Sequence, residues 1–321
     1  MKSPTMPLLS LILGLIAIIL TGCADFQKTT ASTGSRGTLI AAGGSMHDEN
    51  GEVHRHILQG SSRAIGIVTT ASGDGAEALK TKRDGFAKWA PGREVLDIGL
   101  REDQPKMADD PSVVALIDRC DVLFFTGGDQ KRIVEVFRPR TTDGEMFRRD
   151  SAAYKAVLRL LDRGGTVAGT SAGAAMMGDI MFHSGQIEPS VAFWSGRTSE
   201  QKQQIRQKFT SIGLFDVGET GVLKLGTGMG LVHNCIIDSH FAQRKRLGRL
   251  EIALDITGQA WGIGVNENRA IKIDRATGRV QTIGGTDEVA TVVRRDPPAS
   301  WKLSGLTQFT LGQAPVTNPG K

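Results

Sequence analysis

The sequence predicts an α/β fold: a single domain built on a doubly wound, mostly parallel sheet with antiparallel strands at one edge. Three observations predict it. Short, nearly continuous apolar runs recur along the chain, stretches with helical spacing separate them, and several runs end in glycine pairs or glycine-flanked polar residues. Apolar runs without strict alternation suit parallel strands covered on both faces. Strand alternating with helix argues for a doubly wound sheet.

The elements follow in chain order. Residues 1–23 stand outside the domain: Lys2 supplies a positive charge, LLSLILGLIAIIL an apolar core, and Leu20-Thr21-Gly22-Cys23 the end of the run. That core is shorter than the ~20 residues a spanning helix needs and fits a signal peptide. The last four residues resemble a bacterial lipobox, which makes Cys23 the lipidated residue; a plain secretory signal or an uncleaved anchor is the alternative. Residues 24–36 are small, polar and turn-rich, as a tether should be. By resemblance to lipoproteins of double-membraned bacteria, Ala24 after the cysteine implies the outer membrane, with Asp25 the dissenting residue. The expected location is the cell envelope, lipid-anchored, or the extracellular space.

The domain is expected over 37–300. Its strands are read at 37–44, 63–70, 93–100, 121–128 and 165–171, and its helices in GAEALKTKRDGFAKWA, PSVVALIDR and DSAAYKAVLRLLDRG. In the last of these, Ala153, Val157, Leu160 and Leu161 form the apolar stripe, Asp150 or Ser151 caps the start, and Gly164 the end. Two later runs, WGIGVNENRAIKID and GRVQTIGGTDEVATVVRR, read as antiparallel hairpins extending the sheet. Residues 301–321 read as a tail.

Composition narrows the function. With 39 Lys+Arg against 34 Asp+Glu, a net charge of +5, 5% aromatics and no basic run, nothing points to nucleic acid. Cys120 and Cys235 lie in apolar settings and read as buried free thiols. His47, His54 and His56 crowd one glycine-rich, acidic loop that reads as solvated, and their spacing gives no helical i, i+4 pair. No metal site and no cofactor are expected. LGTGMGL (225–231) has the look of a dinucleotide fingerprint without its third glycine, and is assigned to backbone packing.

In doubly wound folds ligands sit at the carboxyl ends of the strands. Four such places stand out: Gly43-Gly44, Thr69-Thr70, Gly127-Gly128 and Ser171. Gly169-Thr170-Ser171-Ala172-Gly173 matches the nucleophile elbow, whose tight strand-to-helix turn needs glycine two residues either side of the serine. Taken alone, the motif also suits a junction packed closely for its own sake. A serine nucleophile needs a base, and of the six histidines His240 stands after the apolar run NCIID, at a strand's carboxyl end. A lone histidine there is also compatible with a structural role.

Four blocks in order, FFTGGDQ (124–130), GTSAGA (169–174), IIDSHFAQRKRLGRL (236–250) and GIGVNENRA (262–270), resemble the signature blocks of cyanophycinases. These are serine peptidases of the peptidase E-like family, with a flavodoxin-like, glutamine amidotransferase-like α/β fold. The resemblance runs roughly from Gly37 to Asp274. It implies Ser171 as nucleophile, His240 as general base and Glu267 as the carboxylate orienting the imidazole. It implies the backbone N–H groups of Gly128 and Ala172 as the oxyanion hole. Gln130, Asp238, Ser239, Arg244, Arg246 and Arg249 are implied to line the substrate pocket, with Arg244 one helical turn beyond His240. Guanidinium forks suit carboxylates, and cyanophycin, a poly-aspartate backbone with arginine on each β-carboxyl, asks for both signs of charge.

The implied activity is hydrolysis of cyanophycin to β-Asp-Arg dipeptides, without metal or nucleotide, by a chain expected to form a homodimer. The family usually carries glutamine before the histidine, where this chain has Ser239, and the insert FRPRTTDGEMFRRD (137–150) is expected to reshape the pocket. Two alternatives follow: the same chemistry on other aspartyl or isoaspartyl peptides, and a non-catalytic ligand-binding surface lipoprotein. Glutamine amidotransferase chemistry proper is disfavoured because it uses cysteine where this chain has Ser171.

Overall fold

The computed structural model describes residues 37–141, 144–313 and 315. The leader, the tether and Cys23 lie outside the described residues. In chain order the strands are β1 (Thr38–Ala42), β2 (Ala64–Val68), β3 (Val95–Asp97), β4 (Cys120–Phe125), β5 (Arg140–Thr141), β6 (Gly144–Arg148), β7 (Thr166–Thr170) and β8 (Ile180–Ser184). They continue as β9 (Lys224–Thr227), β10 (Cys235–Asp238), β11 (Trp261–Val265), β12 (Ala270–Asp274), β13 (Arg279–Ile283), β14 (Glu288–Arg294), β15 (Ala299–Ser304) and β16 (Gln308–Thr310).

The larger sheet has the order β16-β13-β12-β1-β7-β4-β2-β3. Its half from β1 to β3 is parallel throughout; β12, β13 and β16 add antiparallel strands on the β1 side. Successive side chains of a strand face opposite ways, and here both faces are covered. Leu39, Ala41, Leu123 and Phe125 share a core with Ile117, Val157 and Leu160, from helices Pro111–Arg119 and Ala152–Asp162. Ile40, Ala42, Val122 and Phe124 share another with Val53, Ile57 and Phe86, from helices Gly51–Leu58 and Gly75–Trp89. This is the doubly wound arrangement the uninterrupted apolar runs imply. The helix after the insert is capped by Ser151, whose side chain accepts the Tyr154 N–H, and Gly164 takes a φ of +90° just past its end.

The structure departs from the sequence reading in four places. The runs 261–274 and 279–294 are not hairpins: β11 and β14 belong to a second sheet of order β10-β11-β14-β15, while β12 and β13 stay in the larger one. Alternation reveals that a strand is half-covered but not which sheet covers it, so the turn at Asn266–Arg269 carries the chain between sheets unannounced. Residues 301–310 are not a tail, because β15 and β16 complete the two sheets and bury Leu303 and Phe309. The stretch holding His54 is helix Gly51–Leu58 rather than solvated loop, and His54 itself is fully buried between Phe86 and Trp89. Burial holds its imidazole below the ordinary histidine value. Finally, Glu135 pairs with Arg140 and Arg148 of the 137–150 insert, and none of the described residues of that insert lines the cavity described below.

Two expectations about packing hold. Cys120 and Cys235 are free and buried, burial pushing the Cys120 thiol up to about 12. In LGTGMGL a Cβ on Gly226 would sit 2.3 Å from the His183 ring, and one on Gly228 would sit 2.1 Å from the Gly178 carbonyl oxygen. Close backbone approach explains these glycines.

Candidate active site

Ser171 occupies the junction between β7 and the short helix Ala172–Ala175, with φ 53° and ψ −110°. A non-glycine residue with positive φ is costly and persists only where its surroundings hold it. The two flanking glycines explain how they do so. A Cβ on Gly169 would sit 2.2 Å from the Gly173 oxygen, and one on Gly173 would sit 2.3 Å from the Phe125 oxygen. The elbow can form only if both are bare, and the Ser171 N–H then reaches the Ala42 carbonyl at 3.0 Å.

The serine, the histidine and the glutamate meet. Ser171 Oγ lies 2.8 Å from His240 Nε2, and His240 Nδ1 lies 2.5 Å from Glu267 Oε1. These residues are far apart in sequence and sit on different structural supports: the end of β7, the turn after β10, and the link from β11 to β12. Gly43-Gly44 brings the supports together. The His240 N–H reaches the Gly43 oxygen at 2.6 Å, and the Asn268 N–H reaches the Gly44 oxygen at 2.8 Å. Gly44 has φ +101°, and a Cβ there would stand 2.2 Å from the imidazole.

Three residues that the sequence reading passed over hold this arrangement. Asn266, buried, accepts the Ala242 N–H at 3.0 Å and donates to the Glu288 oxygen at 2.9 Å. It thereby ties the histidine turn to the glutamate turn. Gln243 Oε1 accepts the Glu267 N–H at 3.1 Å, and Ser45 helps to hold the Glu267 carboxylate below its usual range. Polar residues beside a candidate carboxylate were the available signal; only the fold shows what they reach.

Electrostatics suits a base. Burial holds His240 below the ordinary histidine value, against the opposing pull of its hydrogen bond to Glu267, and the nearby Arg244 charge adds to the lowering. The hydrogen bond from His240, and a smaller one from Ser45, hold Glu267 below the usual carboxylate range. Around neutral pH the imidazole is therefore uncharged, with Glu267 ionised beside it.

A cavity of about 170 Å³ opens on Ser171 and His240, lined also by Gly128, Gln130, Asp238, Ser239, Arg244, Arg246 and Arg249. Every residue expected in the pocket is there, but the arginines differ in what they do. Asp238 is buried, and both its oxygens are held by Arg249, at 2.8 Å from Nε and 2.5 Å from Nη2. Arg246 Nη1 adds a contact at 3.1 Å. Burial lowers Arg246 to about 10, so it stays cationic at neutral pH. Arg244 makes no side-chain hydrogen bond or ion pair among the described residues and stands exposed at the cavity. The expected helical face does not exist: residues 241–246 form turns, and the helix begins at Leu247. With Asp238 spent on two guanidiniums, the cavity presents positive charge, and Arg244 is the cation left to meet a ligand.

The Gly127-Gly128 turn lies against the serine. A Cβ on Gly127 would stand 3.9 Å from Ser171 Oγ, and one on Gly128, whose φ is +136°, would lie 1.9 Å from the Ala71 oxygen. Ala172 begins the helix after Ser171; its N–H lies in the first turn, ahead of the Ala174 and Ala175 N–H groups that bond the Ser171 oxygen at 3.0 and 2.9 Å, and Ala172 does not line the cavity. A larger cavity of about 570 Å³ beside Trp194, Asp255 and Arg294 contains none of these groups.

No family model matches the chain. It is similar to curated cyanophycinases: 31% identical over 193 residues to that of Nostoc sp., covering 60% of this chain and 50% of the relative. It is 24% identical over 267 residues to that of Synechococcus elongatus (80% and 69%) and 25% identical over 247 residues to that of Geminocystis herdmanii (73% and 72%). The chain thus spans about half the length of the Nostoc relative. Among solved structures, a peptidase from an acI-B1 Actinobacterium matches with TM-score 0.59 at 16% identity, covering 87% of this chain and 98% of that one. At that identity the likeness is one of fold. The chain is cyanophycinase-like in sequence and carries the doubly wound α/β fold expected of it.

Proposed function

We propose that this chain is a serine peptidase that hydrolyses cyanophycin to β-Asp-Arg dipeptides. The observation that carries the reading is the relay of Ser171, His240 and Glu267 at 2.8 and 2.5 Å, opening on a cationic cavity. In this reading His240 Nε2 takes the proton as Ser171 Oγ attacks the scissile carbonyl, and Glu267 holds the imidazole and stabilises its cation. The N–H groups of Gly128 and Ala172 receive the developing oxyanion. The proton passes to the leaving amine, and water then releases the acyl group from Ser171. Arg244 meets a substrate carboxylate, while Arg246 and Arg249, fixed on Asp238, set the shape behind it.

The test is release of soluble dipeptide from insoluble cyanophycin by the chain lacking residues 1–36. Dipeptide release supports the reading, and intact polymer in the presence of a Ser171 that still reacts with a serine-directed probe rejects it. Ser239 favours a second reading, in which the same chemistry acts on short aspartyl or isoaspartyl peptides, because a small side chain replaces the family's usual glutamine beside the base. Cleavage of such peptides with the polymer untouched would decide for it.

The electrostatics gives a pH prediction. Protonation of His240 removes the lone pair that accepts the serine proton, and its proton affinity is lowered. Activity should therefore be retained above the ordinary histidine value near 6.5 and lost as pH falls below it. A pH profile of kcat/KM checks this; an acid limb centred above 6.5 would contradict it.

Asn266→Ala should lower kcat more than it raises KM, because the His240 and Glu267 turns lose their tie. A buried partner left unsatisfied costs about 1–3 kcal/mol, so a loss of roughly ten- to a hundredfold is expected from steady-state kinetics.

Lipid attachment at Cys23, an outer-membrane address and a homodimer complete the proposal. The first would appear as fatty-acid labelling of the full chain that Cys23→Ser removes.

A further inference from the structure

Glu267 is less enclosed than the histidine it serves: its side chain is 31% exposed, against 10% for His240. Packing does less to fix the carboxylate than to fix the ring, so its turn has to be held by hydrogen bonds. The next residue, Asn268, has φ +53°, a left-handed conformation in which asparagine is enriched. Its N–H reaches the Gly44 oxygen at 2.8 Å, and its Oδ1 accepts the His47 N–H at 3.1 Å. Asn50 Nδ2 then donates twice to the same residue, to the carbonyl oxygen at 2.8 Å and to Oδ1 at 3.0 Å.

Asn50 is also the N-cap of helix Gly51–Leu58, its Oδ1 accepting the Val53 N–H at 3.2 Å. A backbone N–H can only donate, so Val53 and His47 fix which way round the two amides lie. Serine or aspartate caps a helix about as well as asparagine, but neither can donate from that side chain to both oxygens of Asn268. Capping alone does not call for asparagine here; capping together with donation does. Behind it, the Asn50 carbonyl oxygen accepts His54 Nδ1 at 2.8 Å, and His54 is buried against Phe86 and Trp89. Trp89 Nε1 in turn donates to the Asp48 oxygen at 2.6 Å. The buried histidine thus ties the cap to the helix layer. Neither Asn50 nor Asn268 lines the cavity at Ser171; both face a separate cleft of about 290 Å³.

On the peptidase reading of Ser171, we infer that Asn50 is a positioning residue, which through Asn268 clasps the Glu267 turn to the start of helix Gly51–Leu58 and so holds the carboxylate on His240. It touches no reacting atom and acts only through the turn it holds.

Asn50→Ser tests this, because serine keeps the cap and loses the clasp. On a soluble aspartyl peptide kcat should fall roughly tenfold, with KM within about twofold and the melting temperature little changed. Asn50→Asp, which keeps cap and shape but cannot donate, should lose kcat to a similar extent. The charged groups facing His240 are Glu267, Arg244 and Arg246, and serine for asparagine alters none of them. The bond to Glu267 raises the proton affinity of His240, so a carboxylate held less well should move the acid limb of kcat/KM down by about half a pH unit. A merely structural role would lower kcat through loss of folded protein and leave the limb in place; that result, or an unchanged kcat, overturns the inference.

Proton NMR of the Ser171→Ala chain separates the clasp from the peptidase reading. The His240 Nδ1–H, in a short bond to Glu267, should give a line far downfield, and Asn50→Ser should move it upfield. A displaced line with no peptide cut by the unaltered chain rejects the peptidase reading and keeps the clasp. A line that the substitution leaves in place rejects the clasp, whatever the chain cuts.

Discussion

Ser171→Ala is expected to lower turnover by roughly 10⁴-fold or more, with His240→Ala close behind and the double variant scarcely worse than either. Non-additivity is the informative part. The three groups lie in one hydrogen-bonded line, 2.8 and then 2.5 Å, so in the proposed mechanism the loss of Ser171 or of His240 leaves the other with nothing to act on. Glu267→Gln should cost less than either, since the amide still reaches His240 but loses the charge that favours the imidazolium. Single-turnover rates on a soluble aspartyl peptide would check the series. Equal, additive losses at all three positions would mean that the residues act separately and that the relay is not the machinery.

The second large effect concerns stability. Asp238→Leu leaves Arg249, which is buried, and Arg246 without their shared counter-ion. Removing one partner of a buried ion pair typically costs about 3–5 kcal/mol. At roughly 2–4 °C per kcal/mol for a domain of this size, the melting temperature should fall by roughly 10 °C. Replacing the cluster as a whole, with Arg249→Met and Arg246→Leu alongside Asp238→Leu, should restore much of the loss, because no orphaned charge then remains. Thermal melts of the single and triple variants separate these outcomes. The restored protein should nevertheless be a poor enzyme, its cavity wall having changed shape beside Ser239 and Arg244.

The sequence showed most of the larger sheet and the elbow at Ser171 for reasons that are local, whereas His240 and Glu267 were given their roles only by the resemblance of the four blocks. Strands covered on both faces have unbroken apolar runs, and an elbow needs its glycines at fixed offsets, as at Gly169 and Gly173. What escaped was long-range. Nothing in WGIGVNENRAIKID distinguishes two strands paired with each other from two strands in separate sheets. His54 looked solvated because its neighbours in sequence are acidic, whereas its neighbours in space are Phe86 and Trp89. The positive charges of Arg244, Arg246 and Arg249 look alike in a string; only the position of Asp238 shows which two are engaged. Asn266 was overshadowed by the glutamate beside it, although, like Gln243, it ties the two turns together.

The division of the chain into two hydrogen-bonded sheets gives the proposed relay a seam. Ser171 is fixed to the larger sheet through β7, His240 follows β10 of the smaller one, and Glu267 rides on the segment that crosses between them. Regions of a protein open with different free energies, so partial opening of the smaller sheet would part base from nucleophile while the elbow stayed intact. Mild heating or low denaturant should therefore silence the protein before it unfolds globally, and cooling should restore it without refolding from the coil. Amide exchange at 235–238 and 261–265 that runs ahead of exchange at 166–170, in step with the loss of activity, is the signature of that opening.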